Sequence, residues 1–423
     1  MTTDVPSGRT TVKAPRPPID HDTRGSRLHG VHEREFDAAV RVFDRLFGGR
    51  RQGGGSFVVQ HRGRTVVDVW KGYADRDARR PWTRDTPTIA FSATKGVAAT
   101  VIHRLVDRGL IDVDDPVAEY WPAFSAGGKD RITVRQLLSH RAGLQSLRTV
   151  APRADDVLDH ASMEERLAAT RPDRPGGRPA YHAWTFGWLL AGLARQVTGK
   201  GMEALFHEEL AVPLGIEDGF GLGASREGRT PPAQLVPVNI ERASGPLSAV
   251  GTSVARRLRP LGRAIDPMLV PQVLPLFAGD AAPILGTESP AVNGTFSAAA
   301  LARIYGAIDA DRDGEQRLLS ARTVRELGRV QDRRRDEVLQ IPMRWRLGYH
   351  QAIVLDRGAG RAFGHVGLGG TFAWTDPTLD LTCAFVTNRM PTAATPLGRG
   401  EFVLLGTLIH AAARRLAASP PRG

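Results

Sequence analysis

Strand-like sequence occurs at both ends of this chain and is nearly absent between them. SFVVQH (56–61) and TVVDVW (65–70), separated by Arg62-Gly63-Arg64, read as a β-hairpin. Beta character returns only in GYHQAIVLD (348–356), AFGHVG (362–367), TFAWTD (371–376) and LTCAFVTN (381–388). From about residue 92 to 330 the patterns are mainly helical. Strands that do not alternate regularly with helices exclude a doubly wound α/β sheet. The expected fold class is α+β: one antiparallel sheet completed by both ends of the chain, with a mainly helical region inserted. Phe36, Val40, Phe43, Leu46 and Phe47 recur at helical spacing before Gly48-Gly49, and a second terminal helix is expected around 401–416.

Length alone, at ~150 residues per domain, would allow the 423 residues two or three domains. The strand distribution reduces this to one unit over 26–416. Its α/β part covers about 26–91 and 340–416, and its helical part about 92–339. Residues 1–25 are polar, basic and Pro-rich and read as a mobile tail. They lack the apolar core of a secretory signal, and no run approaches the ~18 apolar residues of a membrane span, so a cytoplasmic location is expected. A 41% hydrophobic content supports a sizeable core, and a single cysteine excludes an internal disulfide or a Cys-based zinc site.

The formal charge of +12 is nearly all arginine: 52 arginines stand against five lysines. Arg256-Arg257-Leu258-Arg259 and Arg333-Arg334-Arg335 (flanked by Asp332 and Asp336) come without any nucleic-acid recognition motif, so no nucleic-acid partner is expected. The complement is more informative, because arginine stays protonated and only a lysine can act as a base.

Lys95 follows Ser92 by three residues at the start of an apolar helix ending at Gly109. That spacing puts both side chains on one face, about 5–6 Å apart. A serine hydroxyl needs a base to become a nucleophile, and a desolvated lysine can serve. With sixteen serines and five lysines, S-x-x-K arises by chance about 0.2 times per chain, so a helix-capping serine with a bystander lysine is the competing reading. Tyr181 closes a Pro/Gly loop (175–180) just before a buried helix at 186–199, where its hydroxyl can reach a cleft. Its alternative is an ordinary half-buried aromatic. Gly364-His365-Val366-Gly367-Leu368-Gly369-Gly370 would leave backbone amides open for an oxyanion, or would be a strand turn with a structural histidine.

In this order, 89 and then 184 residues apart, the three motifs resemble the serine β-lactamase and penicillin-binding-protein superfamily, closest to class C β-lactamases and family VIII carboxylesterases. The resemblance covers about residues 30–415, including segments 107–124 and 131–144. It implies Ser92 as nucleophile, Lys95 and Tyr181 as the base/acid pair, and His365-Val366-Gly367 as the third motif. It further implies an oxyanion hole from the amides of Ser92 and Leu368, and no cofactor or metal. Two departures point away from lactams. Tyr-x-Asn reads Tyr181-His182-Ala183, and Lys-Thr-Gly reads His365-Val366-Gly367, so groups that would grip an acylamino side chain and a carboxylate are missing. A neutral small-molecule ester is the expected substrate, hydrolysed through an acyl-enzyme. An acyltransferase or weak β-lactamase/peptidase using the same site is the first alternative. A non-catalytic scaffold or membrane-surface module is the second.

Pro267 to Gly279 (PMLVPQVLPLFAG), uncharged with three prolines, reads either as a buried connection or as a flap lining the acyl groove or touching lipid. Four features read as decoys: the turn Asp309-x-Asp311-x-Asp313-Gly314, Gly251-Thr252-Ser253-Val254-Ala255, His207-Glu208-Glu209, and Cys383 on a core strand face. Tyr305 reads as core.

Overall fold

The computed structural model describes residues 19–21, 27–47, 53–174, 177–223, 229–237, 271–278, 282–308, 317–390 and 401–418. The N-terminal part contributes β1 (Ile19–His21), β2 (His29–His32), helix α1 (Asp37–Leu46), β3 (Gly54–His61) and β4 (Arg64–Gly72). Arg62 and Gly63 both take positive φ (49° and 76°), the conformation that lets a two-residue turn follow the twist of the β3–β4 hairpin. The middle of the chain adds β5 (Thr88–Ile89), β6 (Phe220–Leu222), β7 (Val236–Pro237) and β8 (Gly294–Phe296). The C-terminal part supplies β9 (His350–Gln351), β10 (Phe363–Val366), β11 (Phe372–Asp376), β12 (Leu381–Thr387) and β13 (Arg389–Met390).

Eight strands form one antiparallel sheet in the order β1-β2-β4-β3-β12-β11-β10-β9. The two ends of the chain meet at its centre, where β12 pairs with β3 in the register Cys383↔Val59 and Phe385↔Phe57. Side chains on these strands alternate between two cores. Phe57, Val59, Val67, Leu381, Cys383 and Phe385 face α1 and the final helix α8 (Glu401–Ala418). On α1, Phe43 stacks on Phe57 (5.9 Å) and meets Phe385 edge-on (6.1 Å). Val58, Ala373, Ala384 and Val386 face the inserted region. That region contains α2 (Thr94–Asp107), α3 (Val134–Leu138), α4 (His160–Ala169), α5 (Thr185–Thr198), α6 (Ala298–Ile308) and α7 (Ala321–Leu327). Among the described residues no helix is long and apolar enough to cross a membrane.

Two sequence expectations are corrected. Residues 19–21, assigned to the tail, pair with β2 as an edge strand. The run 348–356 is extended only at His350–Gln351. Beyond it the chain leaves the sheet for α8, where the Leu355 amide donates to Thr407 and Asp356 meets His410 and Arg414. In addition β5, just before the mainly helical inserted region, joins β8 and β6 within it in a separate three-stranded sheet. Strands of two or three residues carry no readable period. This small sheet matters for the site, because it sets the height of the chain beside the start of α2.

Candidate active site

Phe91 holds a left-handed backbone (φ 47°), a costly conformation for a bulky residue, and opens a tight turn, Phe91–Ala93, that leads straight into α2. Ser92 sits in this turn, partly exposed, while Lys95 in the first turn of α2 is completely enclosed. Lys95 Nζ lies 3.0 Å from Ser92 Oγ and donates to the Ala291 carbonyl at 3.0 Å. The small sheet places that carbonyl: Ala90 N–H bonds Gly294 O at 2.8 Å, and Gly294 N–H bonds Thr94 Oγ1 at 3.1 Å. Buried Asn293 ties the preceding loop to Ser289 N, Ile284 O and Thr287 O. Gly187 of α5 is required here, since a Cβ would come within 2.4 Å of Ala291 N.

Tyr181 precedes α5, and its hydroxyl donates to Ser92 Oγ at 2.7 Å. Ser92 Oγ is thus held between an amine and a phenol, and Lys95 Nζ stands 5.1 Å from the Tyr181 ring centre. Burial holds the Lys95 amine well below its ordinary range, toward the neutral form that can accept a proton. Burial pushes the Tyr181 phenol up, opposed by its bond to Ser92 and reinforced by Asp336, so it rests protonated.

The third motif lies on β10 and the turn after it. A Cβ on Gly367 would sit 2.2 Å from the Ala90 carbonyl oxygen and 3.2 Å from Ala93 N, so only glycine allows this approach to the Ser92 turn. Leu368 follows directly and opens the turn Leu368–Gly370. His365 faces Tyr181, with ring centres 6.4 Å apart. Because a carbonyl only accepts, the 2.9 Å bond to Val366 O places the His365 proton on Nδ1 and leaves Nε2 a bare acceptor, buried without a hydrogen-bond partner among the described residues. Burial, with the nearby His350 and Lys95, keeps the ring well below the usual histidine range and hence neutral.

Four groups escaped the sequence reading. Asp336, noted there only as a flank of an arginine cluster, is fully buried and accepts from the Tyr181 amide. Trp345 stacks on the Tyr181 ring (5.5 Å, 8°), and His140 packs against both, 5.1 Å from Tyr181 and 4.2 Å from Trp345. The fourth is the Ala291 carbonyl. No local signal marks any of them, since each acts from far along the chain. His182 has both nitrogens committed, Nδ1 to Ala180 O (2.6 Å) and Nε2 accepting from Leu144 N (3.1 Å).

Phe277 packs on Phe91 (5.3 Å) and Trp184 (6.0 Å) and is buried, as are Val273 and Leu276, while Pro275 and Ala278 are exposed; residues 267–270 and 279 lie outside the described residues. Of the decoys, 251–255 and 309–314 also lie outside them. His207–Ala211 forms a widened helical turn whose Glu209 pairs with Arg104 and Arg108, and no cluster able to hold a metal occurs among the described residues. Cys383 and Tyr305 are core.

Comparison with known proteins gives concordant results. Residues 39–407 match the Beta-lactamase family. The esterase/beta-lactamase LipL of Mycobacterium tuberculosis (strain ATCC 25618 / H37Rv) is 46% identical over 93% of this chain and 90% of its own. The crystal structure of a family VIII carboxylesterase superposes with a TM-score of 0.76 at 32% identity, covering 91% of this chain and 99% of the other. A penicillin-binding-protein homologue from Caulobacter crescentus superposes with a TM-score of 0.74 at 30% identity, over 91% and 99%.

Proposed function

The chain belongs to the beta-lactamase family, and from that premise we propose that it is a serine hydrolase cleaving carboxylic esters through an acyl-enzyme on Ser92. The observation that carries this reading is the double contact on Ser92 Oγ, from enclosed Lys95 Nζ at 3.0 Å and from Tyr181 at 2.7 Å.

In the proposed reaction neutral Lys95 takes the Ser92 proton as Oγ attacks the ester carbonyl. The amides of Ser92 and Leu368 receive the oxyanion, a contribution of about 10²–10³ in rate per donor. Tyr181 gives its proton to the departing alcohol oxygen, and the proton on Lys95 replaces it. Water then attacks the acyl-enzyme, the Lys95–Tyr181 pair accepts its proton, and Ser92 leaves reprotonated. The elevated phenol and depressed amine support Lys95 as the resting base and Tyr181 as the relay.

Neutral esters suit this site better than β-lactams. His365 presents a neutral acceptor where a carboxylate would need a cation. His182, with both nitrogens engaged, cannot replace the missing asparagine amide. A panel of a short-chain chromogenic ester, a longer one and a chromogenic cephalosporin tests this. Ester turnover should dominate. Cephalosporin turnover above ester turnover would overturn the preference.

A further inference from the structure

Tyr181 stands in a stretch, 177–184, with no regular structure of its own, and Gly177 there takes φ 117°. Its hydroxyl is nevertheless held on Ser92, so something outside the loop must fix it. The segment following the arginine cluster does so. Glu337 N–H donates to Pro179 O at 2.9 Å, and Arg334 donates to Gly177 O. At the centre is Asp336, whose side chain is met by four N–H donors. Oδ1 accepts from the backbone amides of Tyr181 (3.2 Å), Val338 (2.8 Å) and Leu339 (2.8 Å), and Oδ2 from Trp345 Nε1 (2.9 Å). Burial pushes this carboxyl upward, but the four donors favour the ionised form. Trp345, held by the same carboxylate, lies flat on the Tyr181 ring at 5.5 Å.

We propose that Asp336 is a positioning residue for the Ser92 site: its carboxylate anchors Tyr181 by the main chain and, through Trp345, by the face of the ring. This rests on the reading of Tyr181 as the proton relay. Small displacements of a reacting group carry large penalties, so a buried four-donor anchor is a reasonable use of a costly charge. The anchor also acts electrostatically. The titratable groups facing Tyr181 are Lys95, the neutral rings of His140 and His365, and Asp336, which adds the negative charge. Removing that charge makes the phenol easier to ionise.

The test compares Asp336→Asn, Trp345→Phe, Glu337→Gln and Tyr181→Phe in the full chain. Active sites are counted with a fluorophosphonate, and kcat, KM and the pH profile are measured on one ester. Asparagine would aim an NH2 at existing donors, so Asp336→Asn should lower kcat per titrated site about 100-fold, with KM within about threefold. The basic limb of the profile should move to lower pH. Trp345→Phe keeps a stacked ring without its N–H and should lose about tenfold in kcat. Glu337→Gln keeps the N–H bond to Pro179 but weakens the side-chain pairing with Arg174 and with Arg178 of the same loop, so its loss in kcat should be smaller than that of Asp336→Asn. Asp336→Asn with wild-type kcat per site and an unmoved basic limb overturns the proposal, including where only the number of titratable sites falls. If Asp336→Asn does not fold, wild-type kcat in Trp345→Phe overturns it. Should Tyr181→Phe keep full activity, the relay reading itself fails. Loss in Tyr181→Phe without loss in Asp336→Asn removes the positioning role alone.

Discussion

Lys95 Nζ lies 3.0 Å from Ser92 Oγ with its whole side chain sealed from solvent. A cation in that position would be poorly solvated, and the site needs none. Lys95→Arg should therefore be as inactive as Lys95→Ala, each losing about 10²–10⁴ in kcat, because a guanidinium cannot accept the serine proton. Wild-type activity should rise with pH as Lys95 deprotonates, with an inflection well below the ~10.4 of free lysine, because burial lowers its pKa. A kcat/KM profile on a neutral ester reads this directly.

Tyr181→Phe should cost about 10²–10⁴ in kcat on alkyl esters, whose alcohols need a proton on departure. On a nitrophenyl ester, whose leaving group departs as an anion, the acylation step should suffer far less. Single-turnover rates on the two esters separate the outcomes, and an equal loss on both would remove the relay role.

Gly367→Ala drives a methyl group to 2.2 Å from the Ala90 carbonyl oxygen, a backbone atom that cannot swing away. We expect about 1–3 kcal/mol of destabilisation, the usual penalty for overpacking. Displacement of the Ser92 turn should lower kcat by about 10²-fold. Thermal melts and steady-state kinetics on the same sample check both.

On the α8 face of the sheet, His410 is enclosed between Asp356 (2.9 Å) and Asp376 (3.0 Å) and ties α8 to the sheet. Burial disfavours its charge, but the two carboxylates outweigh this and raise its pKa. The stabilisation is fully present below the ~6.5 of an unfolded histidine and is lost as pH rises through the higher folded value. Both aspartates are held below their ordinary range despite burial, so their contribution fails only as pH falls through those lowered values. His410→Gln should lose about 3–5 kcal/mol, most of it near pH 5–6, with the deficit narrowing above pH 7. Melts across pH test the window, and kcat per folded molecule should not change.

How much of this was legible in the sequence follows the range of each interaction. Ser92 and Lys95 are one helical turn apart, so their contact could be read from spacing. Tyr181 needed two further motifs in order before it stood out. The scarcity of lysine is by itself a weak guide to chemistry. Lys129 is equally enclosed, yet it donates to the nearby Ala126 carbonyl and to those of Ala168 and Thr170 at the end of α4, with its pKa lowered to about 8. Rarity marks burial there, and only the serine three residues away makes Lys95 chemical. Asp336, Trp345 and the Ala291 carbonyl stayed hidden because their partners lie 155, 164 and 196 residues away, where no period or spacing connects them. The sheet was readable because its long strands alternate between two cores, whereas β5, β6 and β8 were too short to show a pattern.

The most direct measurement is covalent labelling with a fluorophosphonate followed by peptide mass mapping. The account predicts one adduct per chain, on Ser92, abolished in Ser92→Ala and strongly slowed in Lys95→Ala. An adduct that persists in Ser92→Ala, or maps to another residue, would contradict it.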